Sequence, residues 1–357
     1  MKTEALTIGN EQLPGGDDVS IPRWKRVSFS ALAVLLALLI AFAGLEIGLR
    51  IYCAVKPNAD VEFFRYANLM KSSATDSKVG FMHQPNTKLT LMGVDVEINS
   101  RGFRDVEHPQ QKAPGTTRIA LLGDSVTFGW GVPYGQRYSE IIAQRWNDAS
   151  KGKFELICTG HGNYNSRQEY SILSDHLAQD GLDGVIQFWY INDAEPLPHH
   201  RDAPWYSHFY TAIFFWSKTD LLQRRLGGRQ NYVDYYRGLY QDGAPGLADF
   251  KLALSQTGAW TRERQIPWVF VVMPEFHDFG DNGPFAGVYD YVKKAAADAG
   301  ATVIDVTQDF KGQDPRTIWV APNDVHPNAK GHAIVADGVV KKLDPSLFIQ
   351  SSFNNRR

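Results

Sequence analysis

The sequence predicts an α/β fold: a central parallel sheet of five strands between two layers of helices, preceded by one transmembrane helix. The first observation is a series of short apolar runs at residues 118–122, 154–158, 184–189, 267–274 and 302–305, the kind that fills strands buried on both faces. The second is what separates them. Residues 138–147, 247–264 and 289–299 carry apolar side chains at helical spacing, and strand–helix–strand order implies right-handed crossovers and a parallel sheet. The third is the uncharged run from Val27 to Leu45, close to the roughly 20 residues that cross a bilayer.

Bulk properties narrow the class. A chain of 357 residues, 43% hydrophobic, suffices for one large domain with appendages. Its 37 basic and 39 acidic side chains leave a formal charge of -2, without the concentrated basic face of a nucleic-acid binder. Two cysteines, Cys53 and Cys158, make no disulfide framework.

Residues 1–26 read as a cytoplasmic tail, polar and disordered to about Ile21, ending in the basic cluster Arg23, Lys25 and Arg26. That cluster precedes the transmembrane helix, taken as residues 27–49. The positive-inside rule therefore keeps the N-terminal side in the cytoplasm and sends the remainder across. A cleaved signal peptide competes, since Ala41-Phe42-Ala43 has the small-x-small form of a cleavage site. The long charged region ahead and the apolar character beyond favour a retained anchor. Residues 50–116 read as a stalk with an irregular helix near 63–70, then a hairpin whose arms, 88–91 and 94–98, alternate about Met92-Gly93. The cluster from Asn99 to Asp105 reads as a turn pinned by Asn99, Gly102 and an Arg104 ion pair; alternatively, Arg101 or Arg104 borders a substrate crevice.

The 118–122 run breaks at Gly123 into Asp124-Ser125, leaving a hydroxyl at the carboxyl end of a strand, where open α/β sheets bind ligands. Alone this is ordinary turn chemistry. Its partner lies far downstream in Asn323-Asp324-Val325-His326-Pro327. Serine is a weak nucleophile until an imidazole takes its proton, and a carboxylate fixes that imidazole's tautomer. His326 is the candidate base and Asp324 the available acid.

With both blocks present, the chain from about Arg118 to Asp344 resembles the SGNH (GDSL-like) hydrolase family, in its membrane-anchored, extracytoplasmic bacterial form. The resemblance implies a flavodoxin-like domain over residues 117–346 and a catalytic site of Ser125, His326 and Asp324, on the periplasmic side of the inner membrane. It also implies an oxyanion hole made by the Ser125 N–H, by a backbone N–H at Gly162 or Asn163 and by the Asn192 amide in Tyr190-Ile191-Asn192-Asp193. The usual family pattern places the acid three residues before the histidine, where Asn323 stands. Asp324, two before, follows a shorter Asp-x-His arrangement. His332 is read as structural.

Residues 194–246 form an aromatic-rich insertion that reads as packed core or as a lid. His199, His200 and His208 lack ligand-spaced acidic or cysteine partners, so neither metal nor cofactor is expected. Residues 347–357 read as a tail. The implied function is a serine esterase or acylhydrolase, working through an acyl-enzyme on O-acyl groups of a glycan or lipid. Alternatives are an O-acyltransferase in envelope or exopolysaccharide modification and a non-catalytic glycan-binding or assembly protein. The expected partners are that substrate and the membrane, not nucleic acid.

Overall fold

The structure is a computed structural model that describes residues 22–349 except 75–77, 151–152, 199–202, 227–230 and 281–282. The expected tail at 1–21, the end of the chain from 350, and His199 and His200 lie outside the described residues. The chain divides into two compact units, Met1–Leu49 and Arg50–Arg357. Helix α1 (Arg23–Val55) is the one described helix long and apolar enough to cross a membrane. Leu32, Leu35, Leu38 and Ile40 on it are exposed. It has the length and apolarity of a membrane anchor, properties it shares with a signal sequence.

The second unit is built on five parallel strands, β5 (Thr116–Gly123), β6 (Lys153–Cys158), β7 (Gly184–Trp189), β8 (Trp268–Val272) and β9 (Thr302–Asp305). They lie in the order β6-β5-β7-β8-β9. Every residue of β5, β7 and β8 is buried, which is why those runs are apolar without alternation. Right-handed crossovers then sort the helices. The step from β5 to β6 runs opposite to all later steps, so α4 (Tyr138–Ala149) goes to one face, where it packs with α10 (Ala329–Lys342). Helices α5 (Ser166–Ser171), α8 (Leu247–Glu263) and α9 (Ala286–Ala299) share the other. This is the predicted three-layer fold, and the reversal of strand order at β5 opens a crevice at the strands' carboxyl ends.

Residues 50–116, expected as a stalk and hairpin, belong to this same compact unit. Helix α2 (Ala59–Arg65) starts at Asn58, whose side chain accepts the Val61 N–H, and widens into a π-helical turn at Tyr66–Met70. Strand β1 (Lys71–Ser73) follows and pairs antiparallel with β2 (Phe81–His83). The hairpin of β3 (Lys88–Leu91) and β4 (Val94–Glu97) turns through Met92 and Gly93, both at positive φ, as a tight hairpin requires. Tyr66, Met70, Leu91 and Val96 bury against Phe128 and Trp130, just past the Gly-Asp-Ser turn. A wide turn breaks 3.6-residue spacing, so the apolar residues at 63–70 do not read as one helix face.

Arg104 and Arg101 take neither role of the alternative reading. Asn99 does pin the turn, accepting the N–H groups of Arg101 and Phe103. Arg101 pairs with Asp180, away from the Ser125 cavity. Arg104 is buried and makes no carboxylate pair among the described residues; its guanidinium donates to the carbonyls of Phe128, Gly129 and Val132 at 3.0, 2.6 and 2.8 Å. Arg104→Leu removes a charged donor and leaves the buried Val132 carbonyl unmet, while Phe128 O keeps only Arg137 at 3.3 Å and Gly129 O only the Val132 N–H at 3.0 Å. It is expected to cost about 3 kcal/mol of stability, read as a lower urea midpoint.

Candidate active site

Three consecutive strands deliver the upper part of the site. β5 ends at Gly123, where a Cβ would fall 1.9 Å from Thr127 Oγ1, so only glycine lets the chain turn this tightly. Asp124 then caps the short helix α3 (Ser125–Phe128), accepting the Val126 N–H at 2.8 Å, and Ser125 is left half-buried at the cavity floor. The loop after β6 brings Gly162 and Asn163 to the same cavity, and the loop after β7 brings Asn192.

Asp324 and His326 come from a hairpin that the sequence did not announce. β10 (Trp319–Ala321) pairs antiparallel with β11 (Asp324–Pro327). Side chains two apart on a strand share a face, so Asp324 and His326 lie side by side, whereas Asn323 falls outside β11 and is exposed. His326 Nδ1 is 2.6 Å from Asp324 Oδ1, and its Nε2 is 2.9 Å from Ser125 Oγ. With Nδ1–H donating to the carboxylate, Nε2 accepts the Ser125 hydroxyl proton. Asp324 Oδ2 accepts the Trp130 indole N–H at 2.7 Å. Trp130 is in turn stacked by Phe63, with ring centroids 4.6 Å apart.

Charge in this group is set by competition. Burial opposes a charged His326, but the Asp324 carboxylate, by its charge and its hydrogen bond, overrides it and raises the imidazole above its ordinary value, with Asp124 adding to the effect. Burial likewise opposes ionised Asp324, and His326 and Trp130 together hold it below the usual carboxylate value. Asp124 is raised, because burial outweighs the Val126 N–H, His326 and the Asn192 amide that favour its charge.

The expected backbone donors differ in their commitments. The Gly162 N–H donates to Tyr66 Oη at 2.9 Å. Asn163 sits at φ 68°, a left-handed position that asparagine tolerates better than most residues, and its N–H has no acceptor among the described residues. The Ser125 N–H has none either. The Asn192 amide lies beside Asp124 and favours its charged form, and its Oδ1 is buried without a hydrogen-bond partner among the described residues. His332 is fully buried, accepts the Tyr138 N–H and stacks on that ring; burial lowers it to about 3 and keeps it neutral.

The cavity measures about 920 Å³. The insertion contributes Tyr206, Trp216, Tyr232 and Tyr236 to its wall, while Ile213 of α6 (Tyr210–Leu226) packs against Cys53, Val61 and Phe64. It thus acts both as core and as cavity wall. The sequence reading missed Trp130, Phe63 and Tyr66; Trp130, five residues past Ser125 in the opening block, was the one signal within reach. Among the described residues no group of three or more His, Cys, Asp or Glu could hold a metal ion.

No curated protein matches the chain. Among solved structures, it is similar to a member of the lipolytic protein G-D-S-L family from Veillonella parvula, with 17% identity over 64% of this chain and 98% of that one and a TM-score of 0.39. It is also similar to an acetylxylan esterase from Geobacillus stearothermophilus, with 16% identity over 64% and 95% and a TM-score of 0.40. The sequence model of the GDSL-like Lipase/Acylhydrolase family matches residues 121–334, more than half of the chain. The chain belongs to that family and is an SGNH-type serine hydrolase acting on ester bonds.

Proposed function

We propose that Ser125, His326 and Asp324 hydrolyse O-acyl groups from an uncharged glycan through an acyl-enzyme. The observation that carries this reading is the unbroken hydrogen-bond chain from Ser125 Oγ through His326 to Asp324, which a binding protein would not need. Ser125 Oγ attacks the ester carbonyl while His326 Nε2 takes its proton. The Ser125 and Asn163 N–H groups and the Asn192 amide hold the oxyanion. His326 returns the proton to the leaving alcohol, then activates water, which releases the acid and restores Ser125.

The cavity wall supports the substrate class. Aromatic faces such as Phe63, Tyr206 and Trp216 suit sugar rings, and Asp60 and Glu195 offer acceptors for hydroxyls. Apart from His326, its described lining carries no cationic side chain, which disfavours phosphorylated lipids. We place the hydrolase domain, residues 117–346, outside the cytoplasm behind a retained inner-membrane anchor. Support comes from the apolar length of α1 and the basic residues at its start.

Hydrolysis of acetylated oligosaccharides by the full chain tests the reading. kcat/KM is expected to fall as pH drops through the His326 value, above that of an ordinary imidazole, because an imidazolium cannot accept the serine proton. Acyl groups moving onto a supplied sugar acceptor instead of water would identify a transferase. Absence of turnover together with failure of a serine-directed phosphonate to label Ser125 would overturn the reading.

A further inference from the structure

Behind the oxyanion loop lies a lysine that the chemistry above does not use. Lys71 Nζ is buried, has no carboxylate partner among the described residues, and donates to Gly162 O at 2.6 Å and Asn163 Oδ1 at 3.1 Å. The rings of Tyr66 and Phe81 flank it, with centroids 4.5 and 4.4 Å from Nζ. Burial without a counter-charge holds its pKa well below that of ordinary lysine. Methionine would fill this aromatic slot without that cost, so the amine needs a reason to be there.

The reason is the carbonyl it holds. Gly162 O and the Asn163 N–H belong to one planar trans peptide, so they point in opposite directions. A donor pulling on the carbonyl aims the N–H away from itself and polarises it. The peptide on the other side of Gly162 is fixed as well. The Gly162 N–H donates to Tyr66 Oη, Tyr66 Oη–H donates to His83 Nε2 at 2.7 Å, and His83 Nδ1–H donates to Gly102 O at 3.1 Å. Tyr66 also leaves no room for a side chain at Gly162, since a Cβ there would meet its ring at 2.6 Å.

We propose that Lys71 is a positioning residue for ester cleavage, orienting and polarising the Gly162–Asn163 peptide so that the Asn163 N–H meets the oxyanion. The proposal rests on the role given to Asn163 above. Lys71 does not line the cavity and acts only through this peptide.

The test compares wild type with Lys71→Met in the full chain, using a short-chain nitrophenyl ester, an alkyl boronic acid as the tetrahedral probe, and phosphonate titration of reactive Ser125. Losing an entire oxyanion donor costs about 10²–10³ in kcat, and a weakened one should cost about tenfold. Per labelled serine, kcat and boronate affinity are expected to fall together, about tenfold each, with KM and the melting temperature little changed. A purely structural lysine would lower the fraction of labelled sites while leaving the rate per site at the wild-type value. That outcome overturns the proposal. Should Lys71→Met fail to fold, the same quantities are read on Lys71→Gln, whose amide stops one bond short of Gly162 O. There a wild-type rate per site overturns the proposal, and a paired loss of kcat and boronate affinity supports it. Failure of wild-type Ser125 to label would instead refute the underlying catalytic reading.

Discussion

Ser125→Ala is expected to lower ester turnover by roughly 10⁴–10⁶-fold, the range seen when a serine hydrolase loses its nucleophile. The effect is large because alanine leaves His326 Nε2, now 2.9 Å from Ser125 Oγ, without a nucleophile to activate. Folding should survive, since Asp124 rather than Ser125 caps α3 and, among the described residues, the Ser125 side chain hydrogen-bonds only to Asp124 and His326. Ser217 is the control. It lines the same cavity but donates its hydroxyl to Phe214 O, so Ser217→Ala should keep most activity. Hydrolysis of a nitrophenyl ester by the three proteins decides the matter, and a fast Ser125→Ala enzyme would remove Ser125 from the chemistry.

Asp324→Asn is the second large effect, expected to lower kcat by about 10⁴-fold. An amide can offer its N–H to His326 Nδ1 and select the wrong tautomer, with the proton on Nε2, where it cannot accept from serine. The substitution also removes the charge that raises His326, so the acid limb of any residual activity should move to lower pH. Asn323→Ala, at the position the usual family spacing assigns to the acid, should change kcat less than twofold, because that side chain is exposed. Comparable losses in both variants would mean that the two-residue spacing does not define the acid.

The parts of this molecule legible in the sequence are those in which one periodicity dominates. The five sheet strands and α4, α8 and α9 follow it closely, as does the β3–β4 turn with its glycine. Ser125 and His326 stood out because each sits in a short block of unusual chemistry. The relation between Asp324 and His326 was harder to see. It depends on β11, a four-residue strand whose partner β10 has only three residues and an irregular register, too little for alternation to register as a pattern. Likewise Tyr66 and Lys71 reach the Gly162 loop across more than 90 positions of chain, through a π-helical turn and a three-residue strand. No local spacing rule carries that contact.

Phe63, Tyr66 and Lys71 all stand upstream of residue 121, where the family match begins. Ser125, Asp324 and His326 therefore sit inside the family portion, while part of the cavity wall and the groups that hold the Gly162 loop sit outside it. Grafting residues 121–334 into another family member would transplant the reaction without its full selectivity. Selectivity and rate would both then depend in part on polypeptide that does not carry the family's signature.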